Sequence, residues 1–229
     1  MAGMRPRLVT FDVYTALLDI QGGLVLAFAR ALAIAPGEAA PLVRQWRAKQ
    51  MELAAISNSL GLGRRPFREC TRLGLDHVLA THDLDLADDA RHALVMAWDV
   101  LQPWPEAVEV VAAVKRTGAA TAILSNGDQD MLDAVARNFG TDMDHVLSAE
   151  TAGFYKPHPA VYELPERLLG IAAADVLHVA GGAGDVLGAK AFGLRCYWSN
   201  RSGERVADPA FSADHEGRDL TGVLALLDD

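Results

Sequence analysis

The chain has 229 residues, 51% apolar and 22% charged, enough for one α/β domain with a small insertion and a sizeable core. Its net charge of −9 argues against a nucleic-acid partner, because neutralising phosphates takes clustered Lys and Arg. No apolar run approaches the roughly 18 residues of a membrane span, and Met1 to Arg7 lacks the apolar stretch of a signal peptide, so a cytoplasmic protein without a membrane partner is expected.

Leu8-Val9-Thr10-Phe11 is a short β-prone run ending in Asp12, of the kind found in buried parallel strands. Residues 20–101 carry helical patterns at 24–35, 42–60, 67–80 and 86–101 and no convincing strand. Beyond them, strand-like runs at 119–124, 145–147, 176–180 and 196–198 alternate with helical patterns at 105–117, 131–139, 159–169 and 185–192. Pro165 predicts a break in the third of these helices. Asp185 can cap the fourth and Gly193 can stop it. Residues 207–218 read as loop and 220–227 as a short final helix. The alternation predicts an α/β fold with a doubly wound parallel sheet. Residues 1–18 and 102–229 would form the core, and 19–101 a helical cap inserted after the first strand.

Ligands of such sheets bind at the carboxyl ends of the strands. Asp12, Ser125-Asn126 and the Gly181-Gly182 loop fall there. Each has a plainer role available: Asp12 as a loop brace, Ser125-Asn126-Gly127 as turn chemistry, Lys156 as a surface lysine, Asp185 as a helix cap. Arg64-Arg65 with Arg68 reads as a solvated face. Cys70 and Cys196, far apart, read as reduced structural thiols. The seven histidines have no metal-binding spacing, and His178, in a predicted strand, reads as a core residue. The Gly181-Gly182-Ala183-Gly184 run lacks the Lys and Ser/Thr of a P-loop, and Trp98, Trp104 and Trp198 read as core or interface.

Taken in order, Phe11-Asp12-Val13-Tyr14, Ile123-Leu124-Ser125-Asn126-Gly127, Tyr155-Lys156-Pro157 and the loop ending at Asp185 resemble the four motifs of the haloacid dehalogenase superfamily, whose core is a Rossmann-like sheet. The resemblance runs from about Leu8 to Gly203. Superfamily phosphatases carry a second Asp where this chain has Tyr14, and a Mg²⁺-holding acid where it has Gly181. The L-2-haloacid dehalogenases are a better match. Like them, the chain has Tyr14, the segment Trp46-Arg47-Ala48-Lys49-Gln50, the run from Lys156 to Tyr162, and Asn200-Arg201-Ser202-Gly203.

The resemblance implies that Asp12 displaces halide from C2 of a small 2-substituted carboxylic acid, giving an ester. Arg47 and Asn126 would stabilise the halide, under an apolar wall that includes Phe67. Ser125 and backbone N–H groups around Val13 and Tyr14 would hold the substrate carboxylate. Lys156 would keep Asp12 ionised, Asp185 would help activate the hydrolytic water, and Tyr162 would take the place of an active-site tyrosine. No metal or other cofactor is implied, and family members are commonly homodimers.

Several positions depart from the family. Thr15 replaces a glycine, which costs strain if the position needs an unusual backbone angle, and Ala16 removes a hydroxyl. Family members read Ser-Ser-Asn-x-Trp-Asp where this chain has Ala180-Gly181-Gly182-Ala183-Gly184-Asp185. The water-placing side chains are lost, and Gly182 and Gly184 leave room for a larger substrate. Three alternatives stay open: a larger or non-halogenated substrate, a Mg²⁺-dependent phosphatase, and a non-catalytic binding protein.

Overall fold

In the computed structural model, residues 5–227 are described; residues 1–4, on which the leader expectation partly falls, and 228–229 lie outside them. Six parallel strands form one sheet: β1 (Leu8–Phe11), β2 (Ala120–Ser125), β3 (His145–Ser148), β4 (Val176–Ala180), β5 (Arg195–Ser199) and β6 (His215–Gly217), in the order β3-β2-β1-β4-β5-β6. β1 is paired on both sides and every residue in it is buried, which is why it reads as a continuous apolar run. The order reverses at β1, since β2 lies on one side and β4 on the other. A crevice opens there at the carboxyl end, and Asp12, whose N–H donates to Val179 O at 2.9 Å, stands in it.

Between β1 and β2 the chain forms α1 (Ile20–Leu32), α2 (Pro36–Ser59), α3 (Phe67–Thr81), α4 (Asp88–Met96) and α5 (Ala107–Arg116). The first four are the helical insertion. With the 3-10 turn Ala97–Val100 that follows α4 they bury Phe28, Trp46, Phe67 and Trp98 against one another, and Tyr14 joins from the core, with Phe67 stacked on it at 5.6 Å and Trp98 edge-on at 5.4 Å. Trp46 Nε1 donates to Thr71 O at 2.7 Å, so its buried N–H is satisfied. The strands of chain entering and leaving the insertion run side by side: Asp19 N donates to Gln102 O (3.1 Å) and Trp104 N to Leu17 O (2.9 Å).

After β2 come α6 (Gln129–Ala136), α7 (Ala149–Ala152), α8 (Pro159–Tyr162), α9 (Leu164–Leu169) and α10 (Ala183–Phe192). The expected break near Pro165 is present: α8 and α9 part at Glu163, and Pro165 sits in the first turn of α9. Three expectations are corrected. The 207–218 stretch contains β6, a three-residue edge strand whose residues His-Glu-Gly carry no apolar signal; it exists because β5 offers an unpaired edge. The final helix is a 3-10 segment, Thr221–Leu226. Asp185 does not cap α10, because Gly182 is the cap residue and Asp185 lies inside the first turn with its carboxylate turned toward Lys156.

Thr15 adopts φ +86, a left-handed conformation in which its branched Cβ crowds the backbone. Thr15→Gly is therefore expected to raise stability by about 1 kcal/mol, seen as a Tm increase of roughly 2–4 °C. A lower Tm would show that the threonine's packing outweighs its strain.

Candidate active site

The crevice gathers side chains from elements distant in sequence. Asp12 follows β1 and Ser125 ends β2. Asn126 follows it, Lys156 comes from the loop before α8, and Asp185 from α10. Ser125 Oγ donates to Asp12 Oδ1 at 3.1 Å, and Lys156 Nζ lies 3.5 Å from the same oxygen. Asp12 Oδ2 accepts no hydrogen bond among the described residues, which leaves one carboxylate oxygen unengaged. Burial pushes the Asp12 carboxyl above the ordinary range, and Lys156 acts against that shift.

Lys156 Nζ also donates to Asp185 Oδ2 at 3.0 Å, and Tyr162 OH donates to Asp185 Oδ1 at 2.8 Å. His178 Nε2 lies 3.0 Å from Asp185 Oδ2. Burial alone would raise the Asp185 carboxyl, but the charges of Lys156 and His178 and their hydrogen bonds outweigh it and hold the group well below the usual carboxylate range. Asn126 Oδ1 accepts from Lys156 N at 2.8 Å, which fixes the amide and leaves its NH₂ as a donor.

Arg47, on α2, has no ion-pair partner among the described residues; its side chain donates to Gln50 Oε1 at 2.7 Å. The guanidinium lies 5.6 Å from the Tyr14 ring centre and 5.5 Å from that of Trp98. Desolvation lowers its pKa, and the charge of Asp12 opposes that. A cation held among aromatic faces without a carboxylate is arranged to receive an anion. Beside it opens a pocket of about 260 Å³, lined in part by Thr15, Leu18, Arg47, Trp104, Gly181 and Arg201. Tyr14 is buried with its OH unpartnered among the described residues, and Val13 and Phe67 are wholly buried.

The glycine loop after β4 is split in character. A Cβ on Gly181 would lie 2.3 Å from Ala16 N and 2.3 Å from Thr15 Oγ1, so only glycine fits this close approach. Added Cβ atoms on Gly182 and Gly184 would meet nothing within 4 Å.

Several contributors escaped the sequence reading. His178 is buried as expected, but it is bonded to Asp185 and to Thr10 rather than packed as an inert core ring. Its only available signal was a histidine inside a parallel strand next to a site loop. Arg64 and Arg68 do not form a solvated face. Arg64 pairs with Asp128 at 2.7 Å and donates to Asn126 O at 3.1 Å, while Arg68 bridges Asp99 and Asp130. Asp128 also accepts from Phe67 N (2.8 Å) and Arg68 N (2.9 Å), so a residue just past β2 caps α3 of the insertion. His158 caps α8 and stacks on Phe154.

The Arg64 and Asp128 side chains are only 6% and 11% exposed. Asp128→Ala would strand a buried guanidinium and uncap α3. A loss of about 3–5 kcal/mol in chemical denaturation is expected; a change below about 1 kcal/mol would show that this contact does not hold the helical insertion in place. Lys156→Met removes the cation that opposes the burial of Asp12. Any reaction needing ionised Asp12 should slow by about 100-fold, and its acidic limb should move to higher pH, since the carboxylate then forms only above a further raised pKa. An unmoved limb would show that Lys156 does not control this ionisation.

The family model for haloacid dehalogenase-like hydrolase matches residues 6–193. The (S)-2-haloacid dehalogenase of Pseudomonas sp. (strain YL) is 32% identical over 222 residues, covering 96% of this chain and 94% of that protein. Haloacetate dehalogenase H-2 of Moraxella sp. (strain B) is 34% identical over 197 residues, covering 85% and 86%. The structure of L-2-haloacid dehalogenase from Xanthobacter autotrophicus with chloropropionic acid covalently bound superposes with a TM-score of 0.86 at 28% identity, over 97% of this chain and 98% of that one. A site of this geometry, carried on this sheet and matched over nearly its full length, places the chain among the haloacid dehalogenase-like hydrolases, in their L-2-haloacid dehalogenase-like branch.

Proposed function

We propose that this protein is a metal-independent hydrolase that removes halide from C2 of an L-2-haloacid. The observation that carries this is Asp12: a buried carboxylate held by Ser125 and Lys156 and facing Arg47, with one oxygen free and Arg47 without an acidic partner among the described residues. Asp12 Oδ2 attacks C2, a new C–O bond forms, and the halide leaves with its bonding pair toward Arg47 and the Asn126 amide. Phe67 walls the leaving group. Ser125 and the backbone N–H groups around Val13 and Tyr14 hold the substrate carboxylate. Water then attacks the Asp12 carbonyl carbon, with Asp185 accepting a proton, and the 2-hydroxy acid departs. Tyr162 orients Asp185 through its 2.8 Å hydrogen bond.

Two features support metal independence over phosphatase chemistry. Tyr14 stands at the position where a phosphatase has its acid, and its phenol is pushed up by burial. Gly181 stands where a metal-holding acid would be needed, and its Cα is too close to Ala16 for any side chain. We place the cap at residues 19–101 and the core at 1–18 and 102–229, because paired chain crossings join at 17–19 and 102–104. We further take the protein as a cytoplasmic homodimer without nucleic-acid or membrane partners. The charge of −9 supports part of this, as does the lack, among the described residues, of any single helix long and apolar enough to cross a membrane.

Sustained halide release from L-2-chloropropionate in EDTA is expected, and none from Asp12→Asn. Activity that EDTA abolishes and Mg²⁺ restores, or that survives Asp12→Asn, would reject this function. The open space at Gly182 and Gly184 favours a second reading, a bulkier 2-haloacid. In a panel of increasing chain length it predicts rising kcat/KM, and preference for the smallest acid would count against it.

A further inference from the structure

The peptide unit between Tyr155 and Lys156 lies between two amide side chains. Tyr155 is wholly buried and Lys156 nearly so, so both polar groups of that peptide need partners. Its carbonyl, Tyr155 O, accepts from Asn58 Nδ2 at 2.9 Å, and its N–H, on Lys156, donates to Asn126 Oδ1 at 2.8 Å. Tyr155 N also donates to Asn58 Oδ1 at 2.8 Å, so the Asn58 amide is gripped at both ends and its orientation is fixed. A backbone N–H can only donate, so Asn126 must turn Oδ1 toward Lys156 and its NH₂ away. Asn58, the peptide and Asn126 therefore form one run of hydrogen bonds in which each polarises the next.

Asn126 is held by its main chain as well. Arg64 donates to Asn126 O at 3.1 Å while it pairs with Asp128 at 2.7 Å, and its guanidinium lies 4.4 Å from the Tyr155 ring centre. Asn58 and Arg64 both come from the helical insertion, whereas Asn126 and Lys156 follow strands of the sheet. Asn58 stands about three turns after Arg47 on α2, so the two share a face of that helix. One helix thus carries Arg47 and also the residue that sets the peptide against which Asn126 is oriented.

We propose that Asn58 and Arg64 are positioning residues for halide departure, acting through Asn126. This rests on the displacement described above: Asp12 Oδ2 forms its bond to C2 as the carbon–halogen bond breaks, and the halide leaves with the bonding pair. The developing anion is stabilised by donors already in place. Asn58, through the peptide, fixes which edge of the Asn126 amide is the donor, and Arg64 fixes the main chain that carries it. Neither touches the substrate. Chloride holds its charge more densely than bromide and is the poorer leaving group, so its departure depends more on such donors. The ratio of chloride to bromide release therefore reads the placement of Asn126.

The test measures the first-turnover rate of halide release, which precedes ester hydrolysis, from L-2-chloropropionate and L-2-bromopropionate. Asn58→Ala is expected to slow chloride release by about 10-fold and bromide release by less than about 3-fold. Arg64→Lys keeps a charge beside Asp128 but lacks the planar fork that spans Asp128 and Asn126 O, and is expected to move the ratio in the same direction. Arg68→Met is the control. Arg68 also ties the insertion to the sheet side, through Asp130 on α6, but bonds to neither Asn126 nor Tyr155, so its loss is expected to leave the ratio at the wild-type value. In an Asn126→Ala background, Asn58→Ala is expected to move the ratio no further, because its effect passes through the missing amide. A wild-type ratio in either positioning variant would overturn the proposal, as would an equal shift in Arg68→Met or a full further shift in the Asn126→Ala background. If Asn58→Ala does not fold, Arg64→Lys alone decides by the same ratio. No halide release by the wild type from any 2-haloacid would remove the displacement and the proposal with it, whereas wild-type release with unmoved ratios in the variants removes the proposal alone.

Discussion

Lys156 holds two buried carboxylates, 3.5 Å from Asp12 and 3.0 Å from Asp185, with its own side chain only 5% exposed. Two like charges this close would not both survive burial without a cation between them. Together with His178 the ammonium holds Asp185 low, while burial leaves Asp12 raised in spite of the same ammonium. The two carboxylates thus differ in character. Asp185 is saturated with donors, whereas Asp12 is poised with a free oxygen, and Arg47 brings the cluster of four charges to balance.

That arrangement depends on strand order. β1 lies between β2 and β4, so Ser125 at the end of one neighbour and the glycine loop at the end of the other must converge on Asp12. Convergence is tight enough that Gly181 touches the backbone of Ala16, and Thr15 is held in a left-handed conformation beside it. The same loop then loosens: a Cβ at Gly182 or Gly184 would meet nothing within 4 Å. The loop after Asp12 is packed without slack, and the Gly182 to Gly184 side is open.

The insertion is tied to the sheet by polar contacts as well as by its aromatic cluster. Asp128, from the core, caps α3 and pairs with Arg64. Asn58 exchanges hydrogen bonds with the backbone of Tyr155, at 2.9 Å to its carbonyl and 2.8 Å from its N–H. These contacts bring α2 and α3 over the crevice, and with them Arg47, whose place above Tyr14 and Trp98 is set by elements more than 30 residues away in sequence.

The sequence by itself determined the order of strands and helices and the sites of the main breaks. It also placed Asp12 and Ser125 at the strand ends, because apolar periodicity, glycine and proline act locally. Short polar elements were beyond its reach. β6 has no pattern of its own and forms on an edge that β5 supplies. Asp185 had the residue type and position of a helix cap, and only the nearness of Lys156 and Tyr162 turned it inward. Arg64 looked like surface until Asp128, 64 residues on, came to meet it. His178 looked like core until β1 brought Thr10 beside it and α10 brought Asp185. In each case the deciding energy is that of a buried polar group finding or lacking a partner, and the partner is distant in the chain, so only the tertiary structure could decide it.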